Sequence, residues 1–346
     1  MSIQRRWYVW AIAGACLLAV MGGVLTLSGV LDGGPAVSIS ELKIIDATNG
    51  AIGGWMYLAY SADGKILSAS IINRIVEYNA ETGAPLRTLE SMQNTEFDYQ
   101  VFLGGGKQMA IIQQPGLLIY DTQTGKEMRT MAFGAPVIFD YNRFAVSPDE
   151  KLVAVPYFEN PNESMAQGVV LMDATSGKES RRLDQHTSPI TQVSFSKDGQ
   201  QLLTSSNDGS VVVWDVSSGK PLRTLKGHSL PVRDADFSKD GTRVIECSAD
   251  GTTLEWDINT GKPLLTLQSV DTTMATSVAY SGDESLIVVG RSDGTVQIWS
   301  RRTGRLLKTV SGENSPVMDV AFAPDGTSLA FSQWSGKITL LTVEVN

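Results

Sequence analysis

Histidine and cysteine are nearly absent from this chain, with two of each in 346 residues. That scarcity removes whole classes of chemistry. There is no Cys-x-x-Cys or His-x-x-x-His spacing for a zinc site. Cys16 sits in a long apolar run and Cys247 in a strand-like segment, so no disulfide is expected and the redox compartment stays open. No Gly-x-x-x-x-Gly-Lys loop is present to cradle a nucleotide phosphate. Basic residues are outnumbered, 28 Lys and Arg against 37 Asp and Glu, for a formal net charge of −9. Beyond Arg5-Arg6, basic runs are no longer than the pairs Arg181-Arg182 and Arg301-Arg302. An acidic surface of this kind repels phosphate backbones, which speaks against nucleic acid as a partner. No cofactor is called for.

What the chain has instead is repetition. A small or polar residue, then Asp-Gly or a near variant, then an apolar run recurs around Asp63-Gly64, Gly105-Gly106, Asp149-Glu150, Asp198-Gly199, Asp240-Gly241, Asp283-Glu284 and Asp325-Gly326. The steps are 42, 44, 49, 42, 43 and 42 residues. A period of ~40–45 residues with four short strands per unit is that of a propeller blade. The expected fold is all-β, a seven-bladed β-propeller over residues 38–346. Segment 41–46 stands where a fourth strand should precede the first Asp-Gly turn, while the last blade has only three strand candidates. The N-terminal strand is therefore expected to complete that last blade and close the ring, which removes exposed sheet edges.

A second phrase repeats in phase with the first. A strand ends in an apolar or aromatic residue plus Asp, and a Ser-Gly or Thr-Gly turn follows. Val211-Val212-Val213-Trp214-Asp215 with Ser218-Gly219 is one copy, and Leu254-Glu255-Trp256-Asp257 with Thr260-Gly261 is another. Tyr78-Asn79, Tyr120-Asp121, Met172-Asp173 and Trp299-Ser300 begin weaker copies. Val, Ile, Leu and Thr suit the pleated, half-buried strand, and Gly supplies the turn.

These residues resemble the WD-repeat family of β-propellers, best in blades four and five. The resemblance implies a hydrogen-bonded tetrad in each: His186, Ser206, Asp208 and Trp214 in blade four, and His228, Ser248, Asp250 and Trp256 in blade five. Blade six keeps Asp293 and Trp299 but has Arg291 where the family's Ser should be. Both histidines are thus read as structural, which leaves no triad for a nucleophile. The remaining blades must hold together by apolar packing.

The first 37 residues are different material. Residues 1–6 form a short basic segment expected on the cytoplasmic side. Residues 7–31 carry no charge and open with Trp7, Tyr8 and Trp10. As a helix they would span about 37 Å, enough to cross a ~30 Å hydrocarbon core. A single-pass signal anchor is expected, with 32–37 as a linker and the propeller on the extracytoplasmic side. The alternative is a cleaved signal that leaves a secreted or periplasmic propeller.

Departures from the repeat point to function. The 49-residue step reflects an insertion at 158–167, between the second and third strands of blade three. Glu159, Asn160, Asn162, Glu163 and Met165 there are candidate partner contacts, because function accumulates on loops of rigid scaffolds. Trp334 aligns with Asn207, Ala249 and Ser292 and should be partly exposed. Asn73 and Arg74 occupy the matching turn of blade one. The expected function is a non-enzymatic, membrane-anchored scaffold that binds a protein or peptide through this loop face. Alternatives are a small-ligand or glycan sensor using the central channel, and a hydrolase with acids in that channel.

Overall fold

The structure, a computed structural model, describes residues 37–345 apart from 48–53, 55, 72–73, 91–98, 114–115, 133–137, 140–142, 159–166 and 270–272. The expected membrane span at 7–31 lies outside the described residues. Among those described, no helix is long and apolar enough to cross a membrane.

The described strands form seven antiparallel sheets, one per blade. Blade four shows how the sequence builds one. Its strands are Ile190–Phe195, Gln201–Ser206, Ser210–Asp215 and Pro221–Lys226, paired in chain order. The two middle strands are almost wholly buried, because neighbouring blades cover both faces. That explains the unbroken Val211-Val212-Val213 run. The outer strand is exposed except for Leu225, and its sequence is correspondingly polar.

Two turn types recur from blade to blade. In the first, Asp198 Oδ1 accepts bonds from Ser196 Oγ at 2.7 Å and Gln200 N at 3.0 Å, while Gly199 takes φ 71°. In the second, Asp215 Oδ1 accepts from Ser218 N and Oγ, each at 2.7 Å, and Gly219 takes φ 69°. Glu150 and Glu284 stand where other blades have the Gly of the first turn, at φ 59° and 57°. A non-Gly residue there is strained by ~1 kcal/mol or more. Each glutamate bonds across to the preceding blade: Glu150 Oε1 accepts from Gly104 N at 2.6 Å, and Glu284 Oε1 accepts from Lys239 N. Those bonds offset the strain.

The ring closes through both chain ends. Val37–Asp46 pairs antiparallel with Lys337–Val345, giving blade seven the order N-terminal strand, third, second, first. This strand starts at Val37, earlier than the expected 41–46. Seven buried apolar clusters lie one at each blade junction, including the closing one, where Ala330, Ile338 and Leu340 of blade seven meet Met56, Leu67 and Tyr78 of blade one. The third-strand position held by Trp214, Trp256 and Trp299 is filled elsewhere by Tyr78, Tyr120, Met172 and Leu341, and each packs against the preceding blade. A large apolar side chain buried at each junction contributes ~1.5–3 kcal/mol.

Blade three departs from the pattern. Its inner strand is split into Ile138–Phe139 and Ala145–Val146, and the register against the second strand slips by three residues between the pieces. The second strand runs Leu152–Phe158, so Phe158 belongs to the sheet and not to the insertion, because its backbone pairs with Ile138.

Candidate functional site

The propeller has two faces. One carries the Asp-Gly turns. The other carries the histidine loops and the turns between second and third strands, and it is called the histidine face below.

In blade four, His186 Nδ1 lies 2.9 Å from Asp208 Oδ2, and His186 Nε2 lies 2.8 Å from Thr204 Oγ1. Trp214 Nε1 donates to the same Thr204 oxygen at 2.9 Å. The bridging hydroxyl is therefore Thr204, not Ser206. The two side chains share one face of the strand, since residues two apart do, but the ring reaches the deeper one. Ser206 ends the strand and donates to Ser188 O at 2.8 Å, which ties down the loop that carries His186. Asp208 also accepts from Thr187 N at 3.0 Å and Ser210 Oγ at 2.6 Å. Burial opposes its charge, but these bonds and His186 outweigh that and hold the carboxyl well below its ordinary range.

Blade five repeats the frame with one change. His228 Nδ1 is 3.2 Å from Asp250 Oδ2, and Ser248 donates to Leu230 O and Pro231 O at 3.1 and 3.0 Å. Ser248 thus takes the loop-tying role of Ser206, and the bridging position two residues earlier is a carboxylic acid, Glu246. Its Oε1 accepts from Trp256 Nε1 at 2.7 Å and lies 3.4 Å from His228 Nε2. Glu246 is fully buried, and its Oε2 and His228 Nε2 have no hydrogen-bond partner among the described residues. Burial pushes Glu246 up to about 8, with the charge of Asp250 adding to the shift and the Trp256 bond opposing it. Burial lowers the His228 imidazole, against the pull of Asp250. In blade six the bridging position is Val289, and Trp299 Nε1 has no partner among the described residues. Arg291 is turned to the loop instead, with Nε donating to Thr273 Oγ1 at 2.8 Å.

On the histidine face, Trp334 is 43% exposed. Leu230 and Met274 are exposed on the same face in blades five and six and were not among the residues expected there. Each breaks the repeat. Leu230 stands where blade four has Ser188. Met274 accepts a backbone bond from Ser292 N, a role filled by Pro189, Pro231 and Pro316 in blades four, five and seven. That substitution of Met for Pro was the readable signal. Arg74 donates Nη2 to Ala47 O at 2.9 Å and so ties blade one to the end of the N-terminal strand of blade seven. Asn73, Glu159, Asn160, Asn162, Glu163 and Met165 lie outside the described residues.

The channel holds a feature that sequence reasoning missed. Counting four residues back from the start of each first turn gives Tyr57, Gln100, Arg143, Gln192, Asp234, Ser277 and Asp319, one per blade. All are buried, and several are joined in one polar belt. Arg143 Nη1 donates to Asp234 Oδ1 at 3.1 Å and stands over the Tyr57 ring at 4.7 Å. Ser277 Oγ meets Asp234 Oδ2 at 2.8 Å and Asp319 Oδ1 at 3.0 Å. Leu58 N donates to Asp319 Oδ2 at 2.8 Å. Burial raises Asp319 to about 6, partly countered by Arg143. The blade period would have exposed this register. Among the described residues no cluster of His, Cys, Asp or Glu is arranged to hold a metal ion.

The class is therefore a seven-bladed β-propeller with His-Asp-Trp networks inside its best-formed blades. Four consecutive segments, residues 177–215, 219–257, 261–300 and 304–340, match the WD domain, G-beta repeat family. Each runs from the turn before an outer strand into the third strand of the next blade, so the four reach from the outer strand of blade three into the third strand of blade seven. Together with the ring they support a WD-repeat propeller, a fold that typically serves as a non-enzymatic scaffold for protein interactions. No curated protein matches the chain.

Proposed function

We infer that this chain is a non-enzymatic scaffold that binds a protein or peptide partner through its histidine face, and that residues 7–31 tether it to a membrane with the propeller on the extracytoplasmic side. One observation carries the reading. Leu230, Met274 and Trp334 are exposed on that face in three successive blades, each where its counterparts are small, polar or Pro. Other exposed apolar side chains, such as Leu86, Met128, Leu222 and Leu264, recur at one position of the outer strands and follow the repeat. Exposed apolar groups gathered on one face and departing from the repeat support a surface that a partner covers, and Trp is a favoured anchor. The tether rests on the uncharged 7–31 run and its flanking Arg5-Arg6.

The test is crosslinking in membranes with the tagged full-length chain, followed by purification of what remains attached. A dominant stoichiometric partner is expected. Trp334→Ala should weaken its binding ~30-fold, the loss of a ~2 kcal/mol anchor, with the melting temperature unchanged. Undiminished binding, or a sharp fall in melting temperature, would place Trp334 in the fold and not in the interface. For the tether, the chain should stay with the membrane pellet through a carbonate wash, and its release would remove that part of the reading.

A further inference from the structure

Two residues beyond the polar belt, the inner strands carry Ala59, Phe102, Ala145, Ser194, Asp236, Ala279 and Ala321. Ala59, Ala279 and Ala321 leave space, and a cavity of about 480 Å³ opens there, at the Asp-Gly end of the channel. It faces away from the surface that Trp334 occupies. Its volume lies in the ~300–1,000 Å³ range of small-molecule sites.

Asp236 is the one charged residue at that register. Its Oδ1 accepts from Ser194 Oγ at 3.1 Å and Phe237 N at 2.8 Å. Its Oδ2 receives no hydrogen bond from the described residues, and the side chain is reached by solvent through the cavity. The surrounding protein still raises this carboxyl to about 6 by desolvation, with Asp234 and Glu284 adding to the shift and the two bonds opposing it. The other charged lining groups are already engaged. Asp234 pairs with Arg143, Asp319 is held by Leu58 N and Ser277, and Glu284 accepts from Lys239 N. Four carboxylates against two cations leave the cavity wall negative.

The rim is aromatic. Tyr60, Phe237, Tyr280 and Phe322 end the inner strands of blades one, five, six and seven and line the same cavity. Each is held in, or packed against, the apolar cluster at a blade junction, which makes the rim rigid. A carboxylate beside an aromatic lining favours an organic cation, and the Tyr280 ring already carries the Arg301 guanidinium at 5.8 Å from its centroid. A hard divalent metal would want several oxygen ligands, and among the described lining carboxylates only Asp236 Oδ2 has neither a hydrogen bond nor an ion pair. The protein already uses this chemistry one layer deeper, where the Arg143 guanidinium rests between Tyr57, Tyr99 and Asp234.

We propose that this cavity binds a small organic ammonium cation, its charge on Asp236 and its methyl or methylene groups against the aromatic rim. Choline chloride and its neutral carbon isostere, dimethylbutanol, are titrated into the full-length chain at constant ionic strength, read by calorimetry and thermal melting. Choline should bind and raise the melting temperature, and dimethylbutanol should do neither. Asp236→Asn, which keeps the side chain's shape and removes its charge, should cost tenfold or more in choline affinity. Equal effects of the two compounds, no binding of choline, or full binding by a folded Asp236→Asn protein would each overturn the proposal. Should Asp236→Asn fail to fold, Ala59→Leu decides the matter. It fills the cavity at a position outside the apolar clusters, and choline binding unchanged in that variant would equally sink the idea.

Discussion

Replacing Glu246 by Gln should flatten the stability of this propeller against pH. Glu246 is fully buried between His228 and Trp256, and its carboxyl is pushed from an ordinary 4.5 up to about 8. A group whose folded value is raised holds its proton in the folded state where the unfolded chain has lost it. Its contribution is fully present below the unfolded value and is lost as pH rises through the folded one. Each unit of pH in that interval costs ~1.4 kcal/mol. His228 acts in the opposite sense, because its folded value is lowered from 6.5. Its contribution is lost as pH falls below that point. Between pH 6.5 and 8, of these two groups only Glu246 titrates with a slope, and the wild type should lose about 2 kcal/mol relative to Glu246→Gln over that window. Gln keeps an acceptor for Trp256 Nε1 and carries no charge. Urea unfolding followed by Trp fluorescence at both pH values gives the two stabilities directly. Parallel pH dependence of variant and wild type would refute the placement of Glu246 as a buried acid.

Two further substitutions probe the same frame. Asp208→Ala removes the acceptor for His186, Thr187 N and Ser210 Oγ; a loss of ~2–3 kcal/mol is expected in chemical unfolding, and a midpoint equal to wild type would contradict the network. Val289→Thr should gain ~1 kcal/mol by giving the unpartnered Trp299 Nε1 the acceptor that Thr204 offers Trp214; a lower melting temperature would mean that the hydroxyl stays unpaired.

Much of the architecture could be read from turn chemistry. Asp-Gly turns at a steady period announce blades, and a last blade one strand short announces the N-terminal strand that completes it. The tetrad partners were harder to place. Ser206 and Thr204 share a strand face, so alternation cannot separate them, and only the reach of the His186 ring does. The same ambiguity hid Glu246 behind Ser248. The polar belt escaped because the period was applied to turns and not to the inner strands, where Tyr57, Arg143 and Asp234 look unrelated until they are counted from the turn. Met274 escaped because its departure is the absence of a Pro.

The pairing of Val37 with Val345 has a directional consequence. The third strand of blade seven runs from the turn that carries Trp334 toward the Asp-Gly end, so its antiparallel partner begins at that end. Whatever precedes Val37 therefore leaves the outer edge of the ring on the face where the channel mouth that holds Asp236 opens. A tether attached there would draw that face toward its anchor and turn Trp334, Met274 and Leu230 outward. Occupancy of the mouth and capture of a partner would then be physically separated events, facing two different environments across the thickness of one rigid disc.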